Sequence, residues 1–170
     1  MDIFSMYASG DEPFVLSSGE IALVQKFRLS FREWAGKPIE NTYGGKAVID
    51  FEGEPVFAEL AVLRMFEAEG WQGVWVDSFG RKYRTGIHGN ALPVHLPESK
   101  EIIIENLKVK TGASGGCWDV FAWRGDQIRF VELKRIDKDK IRSTQIAWLE
   151  AAIDEGFPLS CFTVVEWDLK

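Results

Sequence analysis

The order of hydrophobic patterns along the chain predicts an α/β fold, a mixed central β-sheet flanked by helices. Three observations carry that reading. Residues 26–32 alternate strictly between apolar and polar side chains. Two apolar stretches run at helical spacing between Pro55 and Gly70 and again up to Gly156. Two strand-like runs flank Gly125-Asp126. A helix, three strands, a second helix and a last strand, in that order, belong to a sheet with both parallel and antiparallel neighbours. The length of 170 residues suits one domain, and 46% hydrophobic residues suffice for a sizeable core. No apolar run approaches the ~20 residues of a membrane span, so no membrane partner is expected.

Residues 1–12 read as a loose terminus. Phe27, Leu29 and Phe31 then take one side of a strand whose other side carries Lys26, Arg28, Ser30 and Arg32. Lys46–Phe51 is a second strand candidate after the turn-rich Asn41-Thr42-Tyr43-Gly44-Gly45. Residues 1–53 are therefore expected to form an N-terminal β extension of the same domain, and 54–170 its core. Pro55 suits a first helical turn, and Val56–Glu69 follows without a breaker. Trp71–Phe79 reads as a buried strand, and residues 80–97 as a loop or irregular hairpin. Pro97–Lys110 suits a helix, although Ile102-Ile103-Ile104 suits a strand as well. Trp118–Trp123 and Ile128–Lys134 read as strands, Lys140–Asp154 as a helix and Leu159–Trp167 as the last strand.

The Gly125-Asp126 turn has a chemical consequence. A two-residue turn with glycine first, as type II′ prefers, pairs Trp123 with Ile128, Phe121 with Phe130 and Asp119 with Glu132. Alternation places all six on one face with Lys134 beside them, and sends Trp118 to the other. Two apolar pairs are what a buried face should show; two opposed carboxylates destabilise a sheet unless something offsets them. Lys134 offsets part of the repulsion, and a hard divalent cation such as Mg²⁺ or Mn²⁺ would offset more. The bland alternative is a solvated strand end with a weak Glu132–Lys134 ion pair. Glu59 shares a helical face with Val56, Leu63 and Phe66, so its carboxylate is expected to point toward the sheet and to need a partner or a metal. Gln145 lies in the apolar stripe of Ile141, Trp148, Leu149 and Ala152, where a buried amide must be hydrogen-bonded.

Glu59 in the first helix, Asp119 on a strand, Glu132-Leu133-Lys134 on the next strand and Gln145 in the following helix together resemble the PD-(D/E)XK nuclease superfamily. The stretches Phe130–Lys134 and Ser143–Leu149 resemble its VRR-NUC-like branch. The resemblance covers about residues 54–167 and implies a restriction-endonuclease-like core with an insertion at about 80–116. It implies a metal-dependent nuclease acting on DNA, an endonuclease with a preference for branched or flap structures. Mg²⁺ or Mn²⁺ would be held by Asp119, Glu132, the Leu133 carbonyl and Glu59. Lys134 would position or activate the attacking water, and Gln145 would orient Lys134 or that water. Trp118 stands where the family has a proline. A catalytically silent nucleic-acid-binding or protein-interaction module on the same fold, or an RNA-directed nuclease, is the alternative. A homodimer is compatible with either.

The net charge of −6 argues at first against a nucleic-acid partner. Resolved by region, residues 50–79 carry −6 and residues 80–142 carry +5, with 13 of the 20 basic residues in the latter. The expected DNA-gripping surface is Arg81, Lys82, Arg84, Arg135, Lys138, Lys140 and Arg142. Two cysteines and no basic-then-apolar N-terminal stretch fit a reducing, cytoplasmic setting. His88 and His95 read as ordinary loop residues, and Gly112–Gly116 as a flexible turn. Trp34 and Trp118 are candidates for stacking on a base.

Overall fold

The computed structural model describes residues 4–78, 82–87, 94–112 and 115–170. Among them nine strands form one mixed sheet with helices on both faces. In chain order the elements are β1 (Ala8–Val15), β2 (Ile21–Glu33), β3 (Ile49–Phe51), β4 (Glu54–Val56), α1 (Ala58–Ala68), β5 (Gln72–Asp77), β6 (Lys82–Arg84), α2 (Glu98–Thr111), β7 (Val120–Arg124), β8 (Gln127–Arg135), α3 (Ser143–Asp154) and β9 (Phe162–Leu169). The sheet order is β4-β3-β2-β9-β8-β7-β5-β6, with β1 also paired to β2. β2 and β8 both run parallel to β9, and the remaining pairs are antiparallel. The strands before residue 54 thus join the same sheet through β2. Among the described residues no helix is long and apolar enough to cross a membrane.

The alternation in β2 is realised as expected, with Phe27, Leu29 and Phe31 buried against α1 and Arg28, Ser30 and Arg32 outside. β1 was hidden by its composition. Gly10, Asp11, Glu12 and Pro13 do not read as a strand, yet Gly10–Val15 pairs with β2 residue by residue and only Phe14 is buried. A strand with one free edge tolerates both the acidic pair and a proline that lacks an N–H. Pro55 is a correction of the same kind. It lies in β4, opposite Asp50, at the end of the sheet order, and α1 begins only at Ala58. The hairpin that leads there turns at Glu52 (φ 54°) and Gly53 (φ 88°), with Asp50 accepting the Gly53 amide at 2.8 Å.

Residues 98–111 are helical, and α2 stops at Gly112 in the left-handed conformation (φ 61°). Ile104 and Leu107 face the core while Ile102 stays half exposed, the 3.6-residue period that the isoleucine run concealed. α2 and α3 cover one face of the sheet, meeting Val74, Phe121, Phe130 and Val164; α1 covers the other, meeting Val120, Val131 and Val165. A cavity of about 310 Å³ lies where β5, β6 and α2 meet, lined in part by Tyr83, Lys108, Cys117 and Trp148.

Candidate metal centre

The hairpin register is the one expected. Phe121 opposes Phe130 and Trp123 opposes Ile128, around a turn with Gly125 at φ 59°. The ladder stops at Val120–Val131, because the chain bends at Asp119. That bend corrects the strict alternation. Trp118 is fully buried on the α2–α3 side, stacked on Phe14 and edge-on to Phe162, among the same cluster as Phe121 and Phe130. It has no face to offer a base. The bend leaves the next amide of β8 without a strand partner, and the Asp119 side chain supplies one: Leu133 N–H donates to its Oδ2 at 2.9 Å. In an extended strand one residue's N–H and C=O project to the same side, so the Leu133 carbonyl is directed toward Asp119 as well.

Glu132 and Lys134 are both buried in β8, on the face covered by α3. Lys134 Nζ lies 2.8 Å from Glu132 Oε1 and donates to Gln145 Oε1 at 3.0 Å. Gln145 Nε2 donates to the same Glu132 Oε1, closing a three-membered ring of polar contacts. Gln145 is held in turn by the start of its helix, where its Oε1 accepts the Arg142 amide at 2.9 Å. Hydrogen-bonded rings of this kind lock side-chain geometry in a low-dielectric site. The ring uses one Glu132 oxygen; Oε2 is buried with no hydrogen-bond partner.

The two carboxylates act on each other. Burial, followed by the charge of Glu59, pushes Asp119 up to about 6, with the Leu133 amide, Lys46 and Lys134 opposing. Burial and then the charge of Asp119 push Glu132 well above the usual carboxylate range, with Lys134 opposing. Glu59 is buried in the first turn of α1 and forms an ion pair with Lys46, whose ammonium sits 5.4 Å from the centre of the Trp75 ring. Lys46 is the group sequence reasoning missed. It precedes β3 as a lone lysine after two glycines, and no spacing ties it to Glu59.

Residues for a divalent cation are present, and they fit one on two observations: a buried Glu132 Oε2 that the Lys134–Gln145 ring leaves unused, and two crowded carboxylates that hold protons too tightly. Asp119, Glu132 and the Leu133 carbonyl would hold the ion, with water completing the shell as Mg²⁺ prefers. Among the described residues no three Asp, Glu, His or Cys side chains form a ready-made cage. Glu59, the expected fourth ligand, is instead occupied by Lys46.

The basic residues divide into two groups. Lys138, Lys140 and Arg142 are exposed on the segment that joins Lys134 in β8 to Gln145 in α3. Arg135 on the same segment lies with its guanidinium 5.4 Å from the Trp167 ring. Lys82 is exposed. Arg84 is engaged within the fold: it meets the buried Asp77 at 2.8 Å and lies 4.7 Å from the Tyr43 ring centre. Arg81 and His88 lie outside the described residues, and His95 is exposed. Trp34 is half-buried, its indole N–H donating to the Lys37 carbonyl at 2.8 Å. Gly116 is needed where it stands. At φ 100° it passes so close to Thr144 that a Cβ would collide with that residue's carbonyl, one position before Gln145.

Comparison with protein-family models, with curated proteins and with solved structures returned no match.

Proposed function

We propose that this chain is a metal-dependent nuclease of the PD-(D/E)XK kind that hydrolyses DNA phosphodiester bonds, an endonuclease with a preference for branched or flap DNA. The observation that carries the reading is the pair Asp119 and Glu132, two interacting carboxylates, one buried and one partly exposed, with Lys134 bonded to Glu132. A binding module gains nothing from that arrangement, which costs stability unless a cation offsets it. When bound there, Mg²⁺ or Mn²⁺ supplies a hydroxide near neutral pH and a clamp on the charge of the transition state. Asp119 and Glu132 set the position of that ion. Lys134, held by Glu132 and Gln145, brings a fixed positive charge to the phosphate and orients the attacking water. Lys138, Lys140 and Arg142 grip flanking phosphates, while the acidic remainder of the chain limits indiscriminate binding. Two free, buried cysteines suit a reducing cytoplasmic setting.

The test is cleavage of linear, single-stranded, flapped and four-way-junction DNA, and of RNA, with Mg²⁺, Mn²⁺ or EDTA. Asp119→Ala and Lys134→Ala run beside the parent. Metal-dependent cutting by the parent alone is the expected result. Cutting by the variants at the parent's rate, or by no protein under any metal, defeats the proposal. Binding without cutting would favour the silent module, and cutting confined to RNA the RNA-directed alternative.

A further inference from the structure

Glu59 is well placed to join the acidic pair: it is buried in the first turn of α1, and its charge is felt by Asp119. Yet its carboxylate is taken by Lys46. The ammonium of Lys46 answers to more than one acid. It is paired with Glu59, and the charges of Asp119 and Asp139 act on it as well. Its side chain is only about a third exposed, with the ammonium over the Trp75 ring and so partly shielded from water. A positive charge therefore sits on Glu59, near enough for its field to reach Asp119. We infer that Lys46 is a resident counter-cation of the metal centre, and that a divalent ion competes with it for Glu59. This rests on the metal-centre reading above and adds a regulation to it: the site is charge-compensated before the metal arrives, and Glu59 becomes a ligand only when Lys46 leaves.

The physical argument is one of charge balance. Asp119, Glu132 and Glu59 bring three negative charges when ionised, and Lys134 is already bonded to Glu132. Without Lys46 the Glu59 carboxylate would be buried unpaired, with its charge acting on Asp119, a state that proteins avoid. With both Lys46 and a divalent ion in place, two cations would crowd one carboxylate. One of them must withdraw, and only Lys46 has a flexible stem and an open side toward solvent. Gly44 and Gly45 before it, both at positive φ, border open space.

The experiment is a Mn²⁺ titration followed by electron paramagnetic resonance or calorimetry, which reads binding and not turnover. Wild type is compared with Lys46→Met, Lys46→Arg and Lys46→Met/Glu59→Gln. Methionine keeps the packing on Trp75 and removes the charge. Lys46→Met should bind Mn²⁺ about tenfold more tightly, the scale of one close charge pair. Lys46→Arg should stay near wild type, and the gain should shrink when Glu59 is also neutralised. Equal or weaker binding by a folded Lys46→Met protein overturns the inference. A measurement on wild type alone covers the case in which the variant does not fold. Lys46 acetylation by an amine-reactive reagent, read by mass spectrometry, should be slow in EDTA and accelerate with Mn²⁺; an unchanged rate also overturns it. If wild type binds no Mn²⁺ at all, the metal centre itself fails and this inference with it. If wild type binds but Lys46→Met gains nothing, the counter-cation alone is wrong.

Discussion

Replacing Asp119 by Asn should make the metal-free protein more stable at pH 8 and less sensitive to pH. Asparagine keeps an oxygen for the Leu133 amide and removes the charge that burial and Glu59 oppose. The carboxyl is pushed up from 3.8 to about 6, so between those values the folded state binds a proton that the unfolded chain has released. Stability is therefore full below about pH 4 and falls as pH rises through about 6. At ~1.4 kcal/mol for each tenfold change in proton affinity, the rise from 3.8 to about 6 is worth at most ~3 kcal/mol. Asp119 is partly exposed, so solvent screening reduces this, and about 1–3 kcal/mol is the working range. Because Asp119 and Glu132 titrate as a pair, the substitution should also ease proton release from Glu132. The assay is urea denaturation in EDTA at pH 4.5, 6 and 8. Wild type should lose stability across that range while Asp119→Asn runs much flatter. Saturating Mn²⁺ should then stabilise wild type at pH 8 and leave the variant unmoved, since only a protein that binds the ion gains from it. The same slope in both proteins would refute the claim that the site stores carboxylate repulsion.

Lys134→Met should abolish cleavage, a loss of at least ~10²-fold for a removed transition-state charge, yet retain Mn²⁺ binding measured by calorimetry. Gln145→Ala breaks the contacts to Lys134, Glu132 and the Arg142 amide; it should cost about 1–3 kcal/mol in denaturant melts and slow cleavage without moving KM for DNA. Gly116→Ala forces a side chain into the Thr144 carbonyl at a left-handed φ, so it should reduce both thermal stability and cleavage, whereas Gly115→Ala, where a Cβ meets nothing, should change neither. Joint replacement of Lys138, Lys140 and Arg142 by Ala should flatten the plot of log K against log salt by roughly 2–3 units, read by fluorescence anisotropy with flap DNA.

How far the site could be read in advance depended on whether its parts sit on regular elements. Glu132, Lys134 and Gln145 are set by strand alternation, hairpin register and helical stripe, and all three fell where those periods put them. Asp119 was expected opposite Glu132 in the ladder, which instead ends at Val120–Val131. The period of two ends at the bend before β7, so its carboxylate reaches a backbone amide of β8, and Trp118 packs on the face it was expected to leave. Pro55 was misplaced because proline is equally at home in a first helical turn and on an edge strand, and only the pairing with Asp50 decides. β1 escaped because an edge strand with one buried side chain has almost no periodicity to show.

Lys46 was invisible for a different reason, and it changes what the N-terminal strands are for. Residues before 54 could be decoration on a core that carries its own chemistry, and their register shows otherwise. β2 is hydrogen-bonded to β9 over six residues, beside the strand that holds Glu132 and Lys134. The segment from β2 to β3 then returns across α1, packing Tyr43 against Phe57 and Trp75, and delivers Lys46 to Glu59. An ion pair across 13 residues, from a loop to a helix with a whole hairpin between them, leaves no trace in spacing. It follows that the charge of this centre is set jointly by the motif strands and by a segment outside the motif. Truncation at residue 53 would strip the core of β2 and of the counter-charge to Glu59 together. Lys46→Met separates the two effects, because it removes the charge and leaves the strand.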